Sequence, residues 1–259
     1  MDFFDSESES VVKPREMVRL FTRTHGVNER DLCLPPVAIV SFSPRVLRRL
    51  VQTAGGRKLS PWHGRNHSLY VAETHDRPFL LAQSPYGAPG SVILLEEVFA
   101  FGVRRVVFVG YCGSIRKDID IGEIVLPTRA IREEGTSYHY LPPADVCGPD
   151  DALAHRLDRW LQRHGVAARK GCVWTTDALY RETKRKIAKY RGDGVLAVDM
   201  EMAAVFAVGK VRMREVVAIL LVSDRLSSGM WRPDFFDSRL RARERFIVES
   251  ILKWVEEEA

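Results

Sequence analysis

Short, almost wholly apolar runs alternate along this chain with stretches whose apolar residues recur at helical spacing. Val37 to Val40, Leu69 to Ala72, Phe79 to Ala82, Arg105 to Val109, Glu123 to Leu126, Lys170 to Trp174 and Val216 to Val222 have the length and β-branched density of strands. Between them, Arg45 to Val51, Ser91 to Phe101, Asp151 to His164, Met200 to Val208 and Arg239 to Trp254 mix apolar and charged positions at the period of a helix. A further short helix is expected from Arg15 to Thr24, with Pro14 at its tolerated first turn and Gly26 ending it. Alternation of this kind predicts an α/β fold, a three-layer αβα sandwich around a central mixed, largely parallel sheet. No Pro-, Gly- or Ser-rich linker interrupts the middle of the chain and no segment repeats, so a single domain over residues 14–259 is expected behind a disordered tail at 1–13.

Composition narrows the class without naming a chemistry. Of the 259 residues 46% are hydrophobic and 28% charged, enough for a buried core. The net charge of +5 is spread over short runs such as Arg48-Arg49 and Lys184-Arg185-Lys186, not gathered as nucleic-acid binding requires. Four separated cysteines with no C-x-x-C pair speak against a zinc site or a disulfide framework. No apolar run approaches the roughly eighteen residues of a membrane span, and the acidic, serine-rich start is unlike a secretory signal. A cytoplasmic protein without nucleic-acid or membrane partners is the expectation.

Three strand-to-loop junctions could carry chemistry, since open α/β sheets bind ligands beyond the carboxyl ends of their strands. In Gly110-Tyr111-Cys112-Gly113-Ser114 the glycines would let backbone approach a ligand, though an ordinary tight turn explains them equally. In Asp199-Met200-Glu201, two acceptor-only carboxylates could meet the vicinal hydroxyls of a ribose, or Asp199 could cap a helix. Asp224 follows a fully apolar strand, where burial would raise its pKa toward acid catalysis, or it serves as a turn residue. Gly87-Ala88-Pro89-Gly90-Ser91 could present N–H groups to an anion or simply cap a helix. His139, between Tyr138 and Tyr140, could cover a sugar or belong to a surface loop.

Taken in order, these segments resemble the nucleoside phosphorylase family that holds bacterial purine nucleoside phosphorylase, uridine phosphorylase and related nucleosidases. The resemblance rests on Val109-Gly110-Tyr111-Cys112-Gly113-Ser114 followed by Ile121-Gly122-Glu123, then Trp174-Thr175-Thr176-Asp177, Val198-Asp199-Met200-Glu201-Met202 and Val222-Ser223-Asp224. It implies an enzyme, a pentosyltransferase that cleaves the N-glycosidic bond of a ribonucleoside, leaning to purine with uridine as the alternative, and with inorganic phosphate as co-substrate; the eroded phosphate loops leave a catalytically weak nucleoside-binding module as the reading from another class. No metal or organic cofactor is implied. By resemblance Asp199, Met200 and Glu201 bind ribose, with Asp199 shorter than the family's glutamate. Asp224 protonates the leaving base; Leu179, Tyr180 and Arg185 bind that base, with Thr183 where pyrimidine enzymes carry glutamine. Arg45, Gly110 and Gly113 would hold phosphate. The phosphate loops nevertheless depart from the family, with Ser41-Phe42-Ser43 for Gly-Asp-Pro, Phe108 for an arginine and Tyr111 for a smaller hydroxyl residue. Arg65, Arg116 or a neighbouring subunit could substitute, or water could attack, as the similarity to the Gly-His-Cys-Gly of AMP nucleosidases allows. Family habit also implies a homo-oligomer, dimer-based and up to a hexamer.

Overall fold

The computed structural model describes residues 3–6, 8–23, 32–59, 68–75 and 77–258. Eleven strands form one mixed sheet: β1 (Val37–Ser41), β2 (Arg57–Lys58), β3 (Leu69–Thr74), β4 (Arg77–Gln83), β5 (Arg105–Ser114), β6 (Ile124–Glu133), β7 (Val146–Cys147), β8 (Arg169–Thr176), β9 (Ala197–Asp199), β10 (Glu215–Arg225) and β11 (Arg232–Pro233). The described helices are α1 (Pro14–Arg23), α2 (Pro44–Ala54), α3 (Ala88–Ala100), α4 (Asp151–Arg163), α5 (Lys184–Gly192), α6 (Met202–Val211) and α7 (Ser238–Glu258). This is the α/β architecture that the alternating pattern predicts.

The sheet is two structures in one. On one side β4, β1 and β5 run parallel, with the β3–β4 hairpin and β2 extending the edge. On the other, β5 pairs with β10, β10 with β6, β6 with β8, β8 with β9, and β9 returns to β5, so five strands close into a ring. A bulge in β10 between Val222 and Asp224 bends it at the ring's rim. Closure leaves the runs of β5 and β10 with no solvent face, which is why both read as continuous apolar segments and not as alternations. Helices α3 and α6 pack on each other, as do α2 and α7. Helix α6 is buried almost all round and correspondingly lacks a polar face.

Several boundaries differ from the sequence expectation for local reasons. Helix α3 begins at Ala88, three residues before Ser91, because Gly87 takes φ 86° and turns the chain. The Ser91 hydroxyl donates to the Gly87 carbonyl instead of capping. Strand β5 continues through Gly110 to Ser114, so the segment weighed as a ligand approach or a tight turn is strand, with β10 on one side and β9 on the other at its end. Helix α5 was legible only as a charged run; Thr183 caps it by accepting from Lys186 N. The Arg65 substitute for the lost phosphate contacts lies outside the described residues.

Candidate active site

Four strand ends meet at the rim of the ring. Asp199 closes β9, and Thr175, Asp224 and Gly113 are the penultimate residues of β8, β10 and β5. Register aligns Thr175 with Asp199 and Gly113 with both Val198 and Asp224.

Asp199 is both cap and candidate ligand. Its Oδ1 accepts from Thr175 Oγ1 (3.0 Å), Glu201 N (2.9 Å) and Met202 N (2.8 Å), which starts α6. Thr175 also accepts from Ala203 N at 3.0 Å, locking the strand to the helix. Asp199 Oδ2 is buried with no partner. Burial, opposed by those three hydrogen bonds, pushes the Asp199 pKa up to about 6.

Glu201 is buried beside it. Its Oε1 accepts from Gly87 N at 2.7 Å and its Oε2 from Met200 N at 3.3 Å. The N–H that the sequence offered to an external anion therefore goes to an internal one. Burial first, and then the neighbouring Asp199 charge, push the Glu201 pKa up to about 8. Met200 sits half-buried between the two acids.

Asp224 is 9% exposed. Ser223 Oγ donates to its Oδ1 at 2.8 Å, and Trp231 Nε1 to its Oδ2 at 2.9 Å. Burial outweighs both hydrogen bonds and raises its pKa. Gly113 makes this placement possible: a Cβ there would stand 3.0 Å from Asp224 Oδ2 and 2.6 Å from Leu226 Cδ1. Gly110 has a different duty, since a Cβ would fall 2.7 Å from the Phe42 ring. Both glycines answer to packing against side chains within the strand.

A fourth acid escaped sequence reasoning. Half-buried Glu182 is pushed up to about 7 by burial and by the nearby charges of Asp224 and Asp199. It follows the turn Leu179–Arg181 and precedes the charged run of α5, where a glutamate looks like ordinary surface. Trp231 was equally invisible, because its bond to Asp224 arises only when β11 folds back along β10. Of the expected base-binding trio, Leu179 and Tyr180 are 47% and 97% exposed, and Arg185 is exposed on α5. His139 lines a groove of about 1060 Å³ between the N-terminal segment and α3, where it stacks on Phe3 at 4.9 Å. None of the four acids lines that groove.

The phosphate residues of the sequence reading form a separate cluster. Ser43 caps α2 by accepting from Val46 N, which brings Arg45 into the first turn. Arg45 Nε donates to Glu244 Oε2 at 2.9 Å, Nη2 donates to Glu244 Oε1, and Nη2 also reaches Tyr111 OH at 3.2 Å. Tyr111 OH donates to Glu244 Oε1 at 2.7 Å. Burial works against the Arg45 charge, but the bonds to Glu244 and Tyr111 hold its pKa above the ordinary value. Burial, with the Glu244 charge adding to it, lifts the Tyr111 pKa to about 12. Beside this cluster Phe42 and Phe108 stack in parallel, centroids 5.2 Å apart, both buried. Arg116 is engaged with Asp118 at 2.9 Å.

Two links join the clusters. Gln83 Nε2 donates to the Phe42 carbonyl at 2.8 Å, while Gly87, four residues on, donates to Glu201. Tyr111 and Gly113, two apart in β5, project to one face, so the tyrosine stands about 7 Å along the strand from the Gly113–Asp224 contact. Among the described residues, Asp199, Glu201 and Asp224 are buried acceptors with no ion-pair partner, suited to a small ligand that brings hydroxyl and N–H donors.

The model of the phosphorylase superfamily matches residues 36–253, and the chain belongs to that superfamily. A guanosine phosphorylase of Halorubrum lacusprofundi is 25% identical over 218 residues, covering 84% of this chain and 90% of the relative. A uridine phosphorylase of Treponema pallidum is 32% identical over 175 residues, covering 62% of this chain and 66% of its own. Among solved structures, uridine phosphorylase from Vibrio fischeri superposes with a TM-score of 0.78 at 23% identity, covering 88% of this chain and 94% of that one. Purine nucleoside phosphorylase from Toxoplasma gondii reaches the same TM-score at 20% identity, covering 96% of both chains. At those identities the two structures speak for the fold.

Proposed function

We propose that the chain cleaves the N-glycosidic bond of a ribonucleoside, with a lean to purine bases, and transfers the ribosyl group to phosphate. One observation carries this reading: three buried acids, Asp199 and Asp224 at adjoining strand ends and Glu201 at the head of α6, have no ion-pair partner among the described residues and are all held above the usual carboxyl range. Glu201 and the free Oδ2 of Asp199 would accept from ribose hydroxyls. As the bond from the anomeric carbon to the base breaks, its electron pair leaves with the base, and Asp224 delivers a proton there. An oxygen of phosphate bonds to the anomeric carbon, giving ribose 1-phosphate and free base. A base that needs protonation to leave suits Asp224, hence the purine lean. No cofactor enters this scheme. The exposed Leu179 and Tyr180 fit a homo-oligomer in which a second copy covers the base.

A second reading, hydrolysis, is favoured by one specific observation. The stacked Phe42 and Phe108 occupy positions from which the family resemblance expects phosphate contacts. A panel of purine and pyrimidine nucleosides, assayed for free base and for the sugar product with and without phosphate, tests both. Purine release with ribose 1-phosphate supports the first reading; ribose alone at saturating phosphate replaces it with the second. No base from any nucleoside overturns both.

A further inference from the structure

The guanidinium that would receive phosphate already holds an anion. Arg45 makes a two-pronged contact with Glu244, whose side chain is fully buried in α7, 199 residues away in sequence. Tyr111 completes the shell by donating to the same carboxylate and accepting from Arg45, and it lies 3.3 Å from Ser43 Oγ. A planar carboxylate and a phosphate ask for the same pair of N–H donors on guanidinium. They cannot both have them.

We propose that Glu244 is a built-in competitor of inorganic phosphate for Arg45, and so a specificity-determining residue for the attacking group. This rests on the reading of the site as a nucleoside-cleaving one. For phosphate to engage the Nε/Nη2 edge of Arg45, that edge must leave Glu244. The carboxylate is then left buried with Tyr111 alone, a state that buried ionised groups resist. Among the described residues nothing comparable restrains the rest of Arg45, whose side chain is 36% exposed. The stacked Phe42 and Phe108 supply no donor for a displaced anion. Glu244 thus weakens phosphate binding, and the penalty is relieved when its charge is removed.

The test is phosphate titration by calorimetry on the full chain, in the wild type, Glu244→Gln, Glu244→Asp and the double variant Arg45→Ala/Glu244→Gln. Glu244→Gln should bind phosphate about tenfold more tightly or better, the scale expected when a bidentate guanidinium edge is released. The double variant should lose the gain. Glu244→Asp keeps the charge on a shorter arm and should show a smaller gain, which keeps the proposal testable if glutamine does not fold. In turnover, the half-saturating phosphate concentration should fall while kcat changes less. Unchanged or weaker phosphate binding in both folded single variants overturns the proposal, as does a gain that survives Arg45→Ala. The binding arm needs no nucleoside. A phosphate gain without base release therefore sinks the proposed function and keeps Glu244 as competitor, and base release without the gain does the reverse.

Discussion

Two buried polar clusters lie along one strand of this protein and are built on opposite electrostatic principles. Around Asp199, Glu201 and Asp224, acids are buried with hydrogen-bond donors but no ion-pair partner among the described residues, and their pKa values rise. Around Arg45, Glu244 and Tyr111, charge is cancelled internally and the strong donors of the Nε/Nη2 edge are already used. A buried ion pair closes a site, because opening it strands a charge in low dielectric. A buried acid without a counter-ion stays receptive, because a ligand's donors relieve the cost of burial. Under the proposed function, the difference gives the nucleoside to the first cluster and the choice of attacking group to the second.

The comparison breaks most decisively at Asp224. Asp224→Asn should slow cleavage of purine nucleosides by roughly 10²–10⁴-fold, the range of a positioned general acid. Substrates whose base departs without protonation should lose much less. Equal losses on both, in steady-state assays, would make Asp224 a structural partner of Trp231 and nothing more. Releasing Arg45 through Glu244→Gln, with its expected gain in phosphate affinity of about tenfold, probes the opposite cluster.

Above about pH 8, where Glu201 is ionised, Glu201→Ala should weaken ribonucleoside recognition by about 1.5–3 kcal/mol, the value of a charge-assisted hydrogen bond, while Tm moves less. If activity per folded molecule is unchanged and the variant instead melts early, Glu201 serves only to anchor Gly87. The same residue gives a pH signature. Folding raises its pKa from the ordinary 4.5 to about 8, so between those values the native state binds more protons than the unfolded chain. Stability is therefore full below about pH 4.5 as far as this group is concerned, and is lost as pH rises through about 8. Denaturant midpoints of the ligand-free protein should fall across that window, and Glu201→Gln should flatten the decline. A wild-type profile that rises across it would contradict the raised pKa.

The smallest effect is expected at Tyr180. At 97% exposure its replacement by alanine should shift stability by less than about 0.5 kcal/mol. A loss of nucleoside affinity in the same variant would show that a second copy or a closing loop brings it to the base. Unchanged affinity would remove Tyr180 from the site.

How far the site could be read in advance depended on the kind of residue. Asp199 and Glu201 announced themselves because they sit two apart at a strand-to-helix passage, and Asp224 because it ends an apolar run. The two meanings weighed for Asp199, cap and ligand, are both present: Oδ1 caps α6 and Oδ2 is left over. Gly110 and Gly113 were weighed as a close approach to a ligand or an ordinary tight turn; in the fold both lie in strand β5, where the neighbours Phe42 and Asp224 leave no room for a side chain. Leu179, Tyr180 and Arg185 were placed by resemblance alone and are exposed here, while Glu182, an unremarkable letter in a charged stretch, feels the charges of Asp224 and Asp199.

By itself the sequence determined the order and type of the main elements, because apolar runs and helical periodicity are local properties that burial reads one segment at a time. It also determined which loops carry acids. Tertiary structure decided that five strands close into a ring, that Trp231 returns to Asp224, and that Glu244 crosses 199 positions to meet Arg45. Those are long-range pairings, and no local pattern encodes them. The pKa of each acid and the availability of Arg45 follow from what surrounds the group once folded. A carboxylate's letter specifies its charge in water; its neighbours decide whether that charge is left waiting for a ligand or already answered.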